Sequence, residues 1–204
     1  QIGLAFWPDA NAEQVRKRLS AALAHARSAL GREHETIRFA AGRYRLDLPP
    51  GAWCDLYEFE AKVQAARRLL RGGQDRQAAV PLLEEAAALY GGDLLEDMTG
   101  DEWPQSRRTA LQQQFLDALL LLGGLHQEAR RLDAAISVYR RAVAADPYLE
   151  DAHLELMRCL ARSGRRRDAL RQYTALAAAL AELGAPPSPA AETLVARIRR
   201  NEGV

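Results

Sequence analysis

From Asp55 onward apolar residues recur at steps of three and four. Leu56, Phe59, Val63, Ala66 and Leu70 fall on one stripe that ends at Gly72-Gly73, so the spacing predicts a helix. A second helix is expected from about Asp75 to Tyr90, ending at Gly91-Gly92, and a third from about Pro104, meeting Gly123-Gly124 in its final part. These glycine pairs read as helix breaks, because none follows a strand or has the spacing of a P-loop or dinucleotide fingerprint. Between Glu35 and Leu48 the period changes to two. There Thr36-Ile37-Arg38-Phe39 and Arg43-Tyr44-Arg45-Leu46 alternate apolar with basic residues around Ala40-Ala41-Gly42, which predicts a β-hairpin. Leu48-Pro49-Pro50-Gly51 then removes backbone donors and blocks helix, so the chain is expected to divide into a front module, residues 1–50, and a helical body, residues 51–204.

Within the body an internal repeat carries more information than any single helix. Gly123, Ala135, Tyr139, Ala142 and Pro147 fall at tetratricopeptide spacing, in which small residues let two antiparallel helices approach and an aromatic ring fills the gap. A shift of about 34 residues takes Leu122 to Leu156, Ala135 to Ala169 and Tyr139 to Tyr173. A weaker copy, Ala79, Leu83 and Ala86, precedes them, separated by an insert from Gly91 to about Gln112. The expected fold is therefore mainly α, a tetratricopeptide-like array behind a small front module. Pro186-Pro187-Ser188-Pro189 introduces a last helix through Ala190 to Arg200 that would close the stack.

The front module has its own pattern. Asn11 is placed to cap a helix from about Ala12 to Leu30, with Gly31 as its stop. At 100° per residue, Val15, Leu19, Leu23, Ala26 and Leu30 form its core side. Opposite them Lys17, Ala21, Ala24 and Ser28 make a small-residue ridge, flanked by Arg16, Ser20 and Arg27 on one side and Arg18 and His25 on the other. Charge follows the same division, with eight Arg and Lys against four Asp and Glu up to Arg45, and 20 against 23 beyond it. A basic head before a slightly acidic body is what a polyanion-binding module requires, although a solvated amphipathic helix explains the helix by itself. A helix followed by a hairpin bearing Arg38, Arg43 and Arg45 has the order of recognition helix and wing in a winged helix-turn-helix.

Leu4-Ala5-Phe6-Trp7-Pro8-Asp9, Ala29-Leu30-Gly31, Gly42-Arg43-Tyr44-Arg45-Leu46 and Asp55-Leu56-Tyr57-Glu58-Phe59 resemble the antibiotic regulatory protein family of bacterial transcriptional activators. Leu89-Tyr90-Gly91-Gly92-Asp93-Leu94-Leu95 with Trp103 is similar to the bacterial transcriptional activator domain of those proteins. The resemblance implies a winged helix that binds promoter DNA, truncated here to its recognition helix and wing. It places DNA contacts on Arg16, Lys17, Arg18, Ser20 and Arg27 and on Arg43 and Arg45 of the wing. The Ala-rich recognition helix, with His25 and Ser28 where the family usually has Arg, departs from that pattern. With the N-terminal sheet and the first helices expected upstream of Gln1, the fragment is expected to bind DNA weakly or not at all. Implied partners of the full-length protein are promoter DNA, RNA polymerase or a second protomer.

Composition narrows the remaining chemistry. Hydrophobic content of 48% and charged content of 27% are ordinary for a globular chain of 204 residues. No apolar run reaches the roughly 18–20 residues of a membrane span, and Cys54 and Cys159 lack partners at ligand spacing, so a reducing cytoplasm is the expected home. Glu150-Asp151-Ala152-His153 has the turn spacing of a di-iron ligand pair without the matching partners, so neither a metal nor a cofactor is expected. No nucleophile sits in a recognisable catalytic context, and the chain is not expected to be an enzyme. In the repeat register Asp151, Leu154, Arg158 and Arg162 line the concave face, where the arginines either hold an acidic peptide or small anionic ligand or pair with Glu155 or Asp151. The alternative function is thus a ligand- or peptide-binding repeat scaffold in a larger signalling protein. Arg165-Arg166-Arg167 reads as a solvated turn or, less simply, as a phosphate or partner site.

Overall fold

The computed structural model describes residues 2–30, 36–47, 51–73, 76–97 and 104–203. The chain is mainly helical, with a small antiparallel hairpin before the helical body. It forms two compact units, the first comprising Gln1–Cys54 with Leu94–Arg107, the second Asp55–Asp93 with Arg108–Val204. The Leu94–Arg107 stretch of the insert thus clusters with the front of the chain.

In the first unit a short helix, α1 (Ile2–Phe6), turns through Trp7-Pro8-Asp9 into α2 (Ala12–Ala29). Gly3 lets the two approach, since a Cβ there would lie 2.6 Å from Val15 Cγ1, on a side chain with little rotamer freedom. The α2 core side is only half covered: Val15, Leu19, Leu23 and Ala26 are intermediate, and Leu30 is 47% exposed. Strands β1 (Ile37–Ala40) and β2 (Arg43–Leu46) pair in the register Ile37↔Leu46, Arg38↔Arg45, Phe39↔Tyr44 and Ala40↔Arg43. Ala41 and Gly42 turn the chain with φ of 50° and 75°, the left-handed pair that matches strand twist in a two-residue hairpin. The expected Gly31 stop, the linker at Leu48-Pro49-Pro50, Asp75 and Trp103 lie outside the described residues.

The second unit is built from helix pairs. Helix α3 (Asp55–Arg71) packs on α4 (Ala79–Leu89), which a 3-10 turn at Arg76–Ala78 precedes, so the helix starts later than its sequence pattern suggests. Then follow α5 (Gln105–Glu128), α6 (Leu132–Ala145), α7 (Glu150–Arg162), α8 (Arg166–Glu182) and α9 (Pro189–Arg200). Their short connections impose antiparallel neighbours. Ala79, Leu83 and Ala86 of the weak copy are fully buried, as are Ala135, Tyr139 and Ala169.

Gly123-Gly124 corrects the reading of paired glycines, because α5 runs unbroken through them to Glu128. Gly123 serves helix approach instead: a Cβ there would sit 2.4 Å from Tyr139 Cζ, so the bare backbone makes room for the ring. One period later Met157 takes the glycine position and is fully buried. Tyr173, the counterpart of Tyr139, is correspondingly half-buried and donates its hydroxyl hydrogen bond to Glu192 of α9. Ser188 caps α9 by accepting from the Ala191 amide, and Ala191, Leu194, Val195 and Ile198 join the core formed with α6, α7 and α8.

Candidate nucleic-acid interface

Residue types at the start of α2 fix its end without help from a core. The Asn11 side chain accepts from the amides of Glu13 (3.1 Å) and Gln14 (2.9 Å), while Gln14 Oε1 accepts from the Asn11 amide at 3.1 Å. This reciprocal box satisfies donors that a helix start otherwise leaves to water. Glu13 in the first turn and Arg27 in the last both complement the helix dipole.

Along α2 the predicted contact residues Arg16, Lys17, Arg18 and Ser20 are all exposed, as is the ridge of Ala21, Ala24 and Ser28 between them. Arg27 is exposed but committed, since its Nη2 donates to the Ile37 carbonyl at 3.0 Å. Its guanidinium therefore ties helix to hairpin, and the residue positions the strand.

Alternation sorts the hairpin into two faces. Ile37, Phe39, Tyr44 and Leu46 share one, with the Phe39 and Tyr44 rings 4.8 Å apart. On the other, Arg43 and Arg45 lie beside Arg38 and Ala40. Asp47 sits 3.6 Å from Arg38 and 4.0 Å from Arg45, at exposures where such pairs neutralise little. Arg38 belongs to this basic face by register, and strand alternation in the sequence is the signal that reveals it.

The groove residues divide differently. Asp151 is exposed, but Leu154 is buried in the core shared with α9, which corrects its placement on an open concave wall. Arg158 pairs with Glu155, one of the two expected outcomes. Arg162 is exposed, with Nη1 3.3 Å from Gln127 Oε1. Gln127 also donates to the Tyr139 hydroxyl (2.7 Å) and to Glu155 (2.8 Å), so a polar network runs from the repeat aromatic to the arginines. Burial pushes the Tyr139 hydroxyl far above its ordinary range, keeping it neutral.

Other titratable groups are used structurally. Both nitrogens of the buried His153 ring are occupied, Nε2 by the Pro147 carbonyl at 3.0 Å and Nδ1 by the Gln172 amide at 2.7 Å, which leaves none for a metal. Burial pushes the Cys159 thiol up to about 11, unlike a reactive cysteine. Among the described residues no group of three or more metal-ligating side chains comes together, and no helix is long and apolar enough to cross a membrane. Of the arginine run after Gly164, Arg165 pairs with Asp168, and Arg166 donates to the carbonyls of Ile198 (2.8 Å) and Arg199 at the end of α9.

Residues 54–199 match the bacterial transcriptional activator domain family. Among solved structures, EmbR of Mycobacterium tuberculosis in complex with a low-affinity phosphopeptide superposes with a TM-score of 0.78 and 25% identity, over 98% of this chain and 54% of that one. The chain thus spans about half of the length of that EmbR chain. The crystal structure of MamA aligns over 70% of this chain and 88% of that one, with a TM-score of 0.28 and 17% identity. No curated protein matches the chain.

Proposed function

Because the chain belongs to the bacterial transcriptional activator domain family, within the antibiotic regulatory proteins, we propose that it serves a transcription regulator that docks on promoter DNA through the first unit and meets protein partners through the helical array. The α2 ridge of Ala21, Ala24 and Ser28 enters a groove while Arg16, Lys17, Arg18 and Ser20 reach the flanking phosphates. Arg43 and Arg45 act as a wing, and Arg27 sets the angle between wing and helix. RNA polymerase or a second protomer meets the array, in the cytoplasm, and no reaction is catalysed. The phosphopeptide bound to EmbR supports a peptide partner for regulators of this class.

The observation that carries this reading is the segregation of Arg38, Arg43 and Arg45 onto one hairpin face, beside a helix whose outward residues are small or basic. Phosphate contacts release counterions, so the affinity of the whole protein for a promoter-derived duplex should fall steeply with salt. Arg43→Ala and Arg45→Ala are each expected to reduce the log–log salt slope by about one, uniformly across sequences. A wild-type slope near zero, or variants with an unaltered slope, would reject the interface.

A further inference from the structure

We propose that the cavity where the Gly91-Gly92 turn meets α5 and α6 is a binding site for a small zwitterion, an α-amino acid with an apolar side chain. The site goes beyond promoter docking, since its lining residues all belong to the second unit. It measures about 450 Å³, inside the range of about 300–1,000 Å³ in which proteins hold small ligands. Its floor is aromatic. The Tyr90 and Phe115 rings stack at 4.1 Å with 8° between their planes, and Phe59 lies 5.7 Å from Tyr90. Ala144 and Ala145 of α6 add an apolar wall. Gly91, at the exposed rim, has no positive φ, and a Cβ there would meet nothing within 4 Å. Neither backbone conformation nor packing therefore demands a glycine at this position, whereas an open cavity mouth does.

Charge selects the occupant. Arg141 and Asp93 both line the cavity, yet among the described residues neither forms an ion pair, with the other or elsewhere. Arg141 Nη2 donates to the carbonyls of Ala87 and Tyr90, and the guanidinium lies 5.1 Å over the Phe115 ring, so Nε and Nη1 keep donors to offer. Asp93 accepts from the Tyr90 hydroxyl at 3.0 Å through one oxygen. Burial, reinforced by Asp93, pushes that hydroxyl up to about 12, so it donates as a neutral group. Charges nearby are committed elsewhere. Glu84 lies against His126, Glu85 pairs with Lys62, Asp146 accepts from the Tyr148 amide, and Arg140 acts on Asp168. Arg108, one turn before Gln112, has interactions of its own and does not line the cavity. One cation and one carboxylate thus share the space, held by the carbonyl and the hydroxyl at opposite ends of the same tyrosine. A purely anionic ligand would bring like charge to Asp93, and a purely cationic one would bring it to Arg141. An amino acid answers both, its carboxylate accepting from Arg141 and its ammonium donating to Asp93. The last carbonyls of α6 carry partial negative charge and add acceptors for the ammonium.

Isothermal titration calorimetry with L-phenylalanine and L-leucine on the 204-residue chain tests the site, with the amide and the N-acetyl derivative of each as ligands lacking one charge. Saturable binding below about 10 mM is expected for the amino acids, and binding about tenfold weaker for the derivatives. Asp93→Asn keeps an acceptor for the Tyr90 hydroxyl. It should weaken the amino acids about tenfold and leave the N-acetyl derivatives, which have no ammonium, unaltered. Gly91→Val places its side chain in open space and should abolish binding, with the fold intact by circular dichroism. Arg16→Glu in α2 should change nothing. Absence of saturable binding by both amino acids overturns the proposal, as does equal binding by wild type and Gly91→Val. Equal affinity for an amino acid and its derivatives also overturns it, since the two charges would then select nothing.

Discussion

At position 123 a single hydrogen in place of a methyl decides whether two helices meet. A Cβ on Gly123 would fall 2.4 Å from the Tyr139 ring, whose own hydroxyl is held by Gln127, so the ring has little freedom to retreat. Gly123→Ala is therefore expected to destabilise the second unit by about 1–3 kcal/mol through overpacking, even though alanine is the better helix former. A urea titration measures this, and a midpoint equal to or above wild type would contradict it. The glycine and its aromatic were legible in the sequence because the tetratricopeptide pattern pairs them. What the pattern did not carry was the consequence of Met157 at the equivalent place, where a buried side chain fills the gap and Tyr173 turns to Glu192. Leu154 was misplaced for a related reason, because a helical projection assigns a face but says nothing of which later helix covers it.

Helix ends show how far local chemistry reaches. The α2 box at Asn11 was visible as a capping residue before a periodic run, and it lies where that residue predicts. The end of α9 was not visible, because its partner comes from a run of arginines 32 and 33 residues earlier in the chain. Arg166 reaches two of the last carbonyls of α9, adding to the left-handed cap at Asn201 (φ 58°) that closes the helix. Carbonyls at a helix C-terminus carry partial negative charge, so the guanidinium there is favourable both as donor and as cation. Arg166→Gln should loosen the last turn of α9, raising amide exchange there several-fold while the α6 and α7 amides remain protected. Unchanged exchange in that turn would show that Asn201 alone suffices.

For the molecule as a whole, two buried histidines make folding sensitive to acid. Burial pushes His153 below its ordinary value, against smaller upward pulls from its hydrogen bonds to Pro147 and Gln172. His126 is likewise lowered, first by burial and then by the Arg131 charge, with Glu84 opposing, and its Nδ1 is buried without a hydrogen-bond partner. Because the folded state resists protonation, the unfolded chain takes up more protons once pH falls below the ordinary imidazole value of about 6.5. The stability these groups contribute is therefore full above that value and is lost as pH drops through it toward the lowered folded values. The urea midpoint should fall between pH 7.5 and pH 5, and less so in a His126→Gln variant. A wild-type midpoint that rises on acidification would reverse the sign.

The division into units has a topological result of its own. Because Leu94–Arg107, which includes the first turn of α5, clusters with Gln1–Cys54 while α4 and the rest of α5 do not, the polypeptide passes from one unit to the other three times. Two beads on a string are parted by one nick. Here a scission beside Cys54 cuts one of three crossings and leaves Leu94–Arg107, assigned to the first unit, covalently joined to the second.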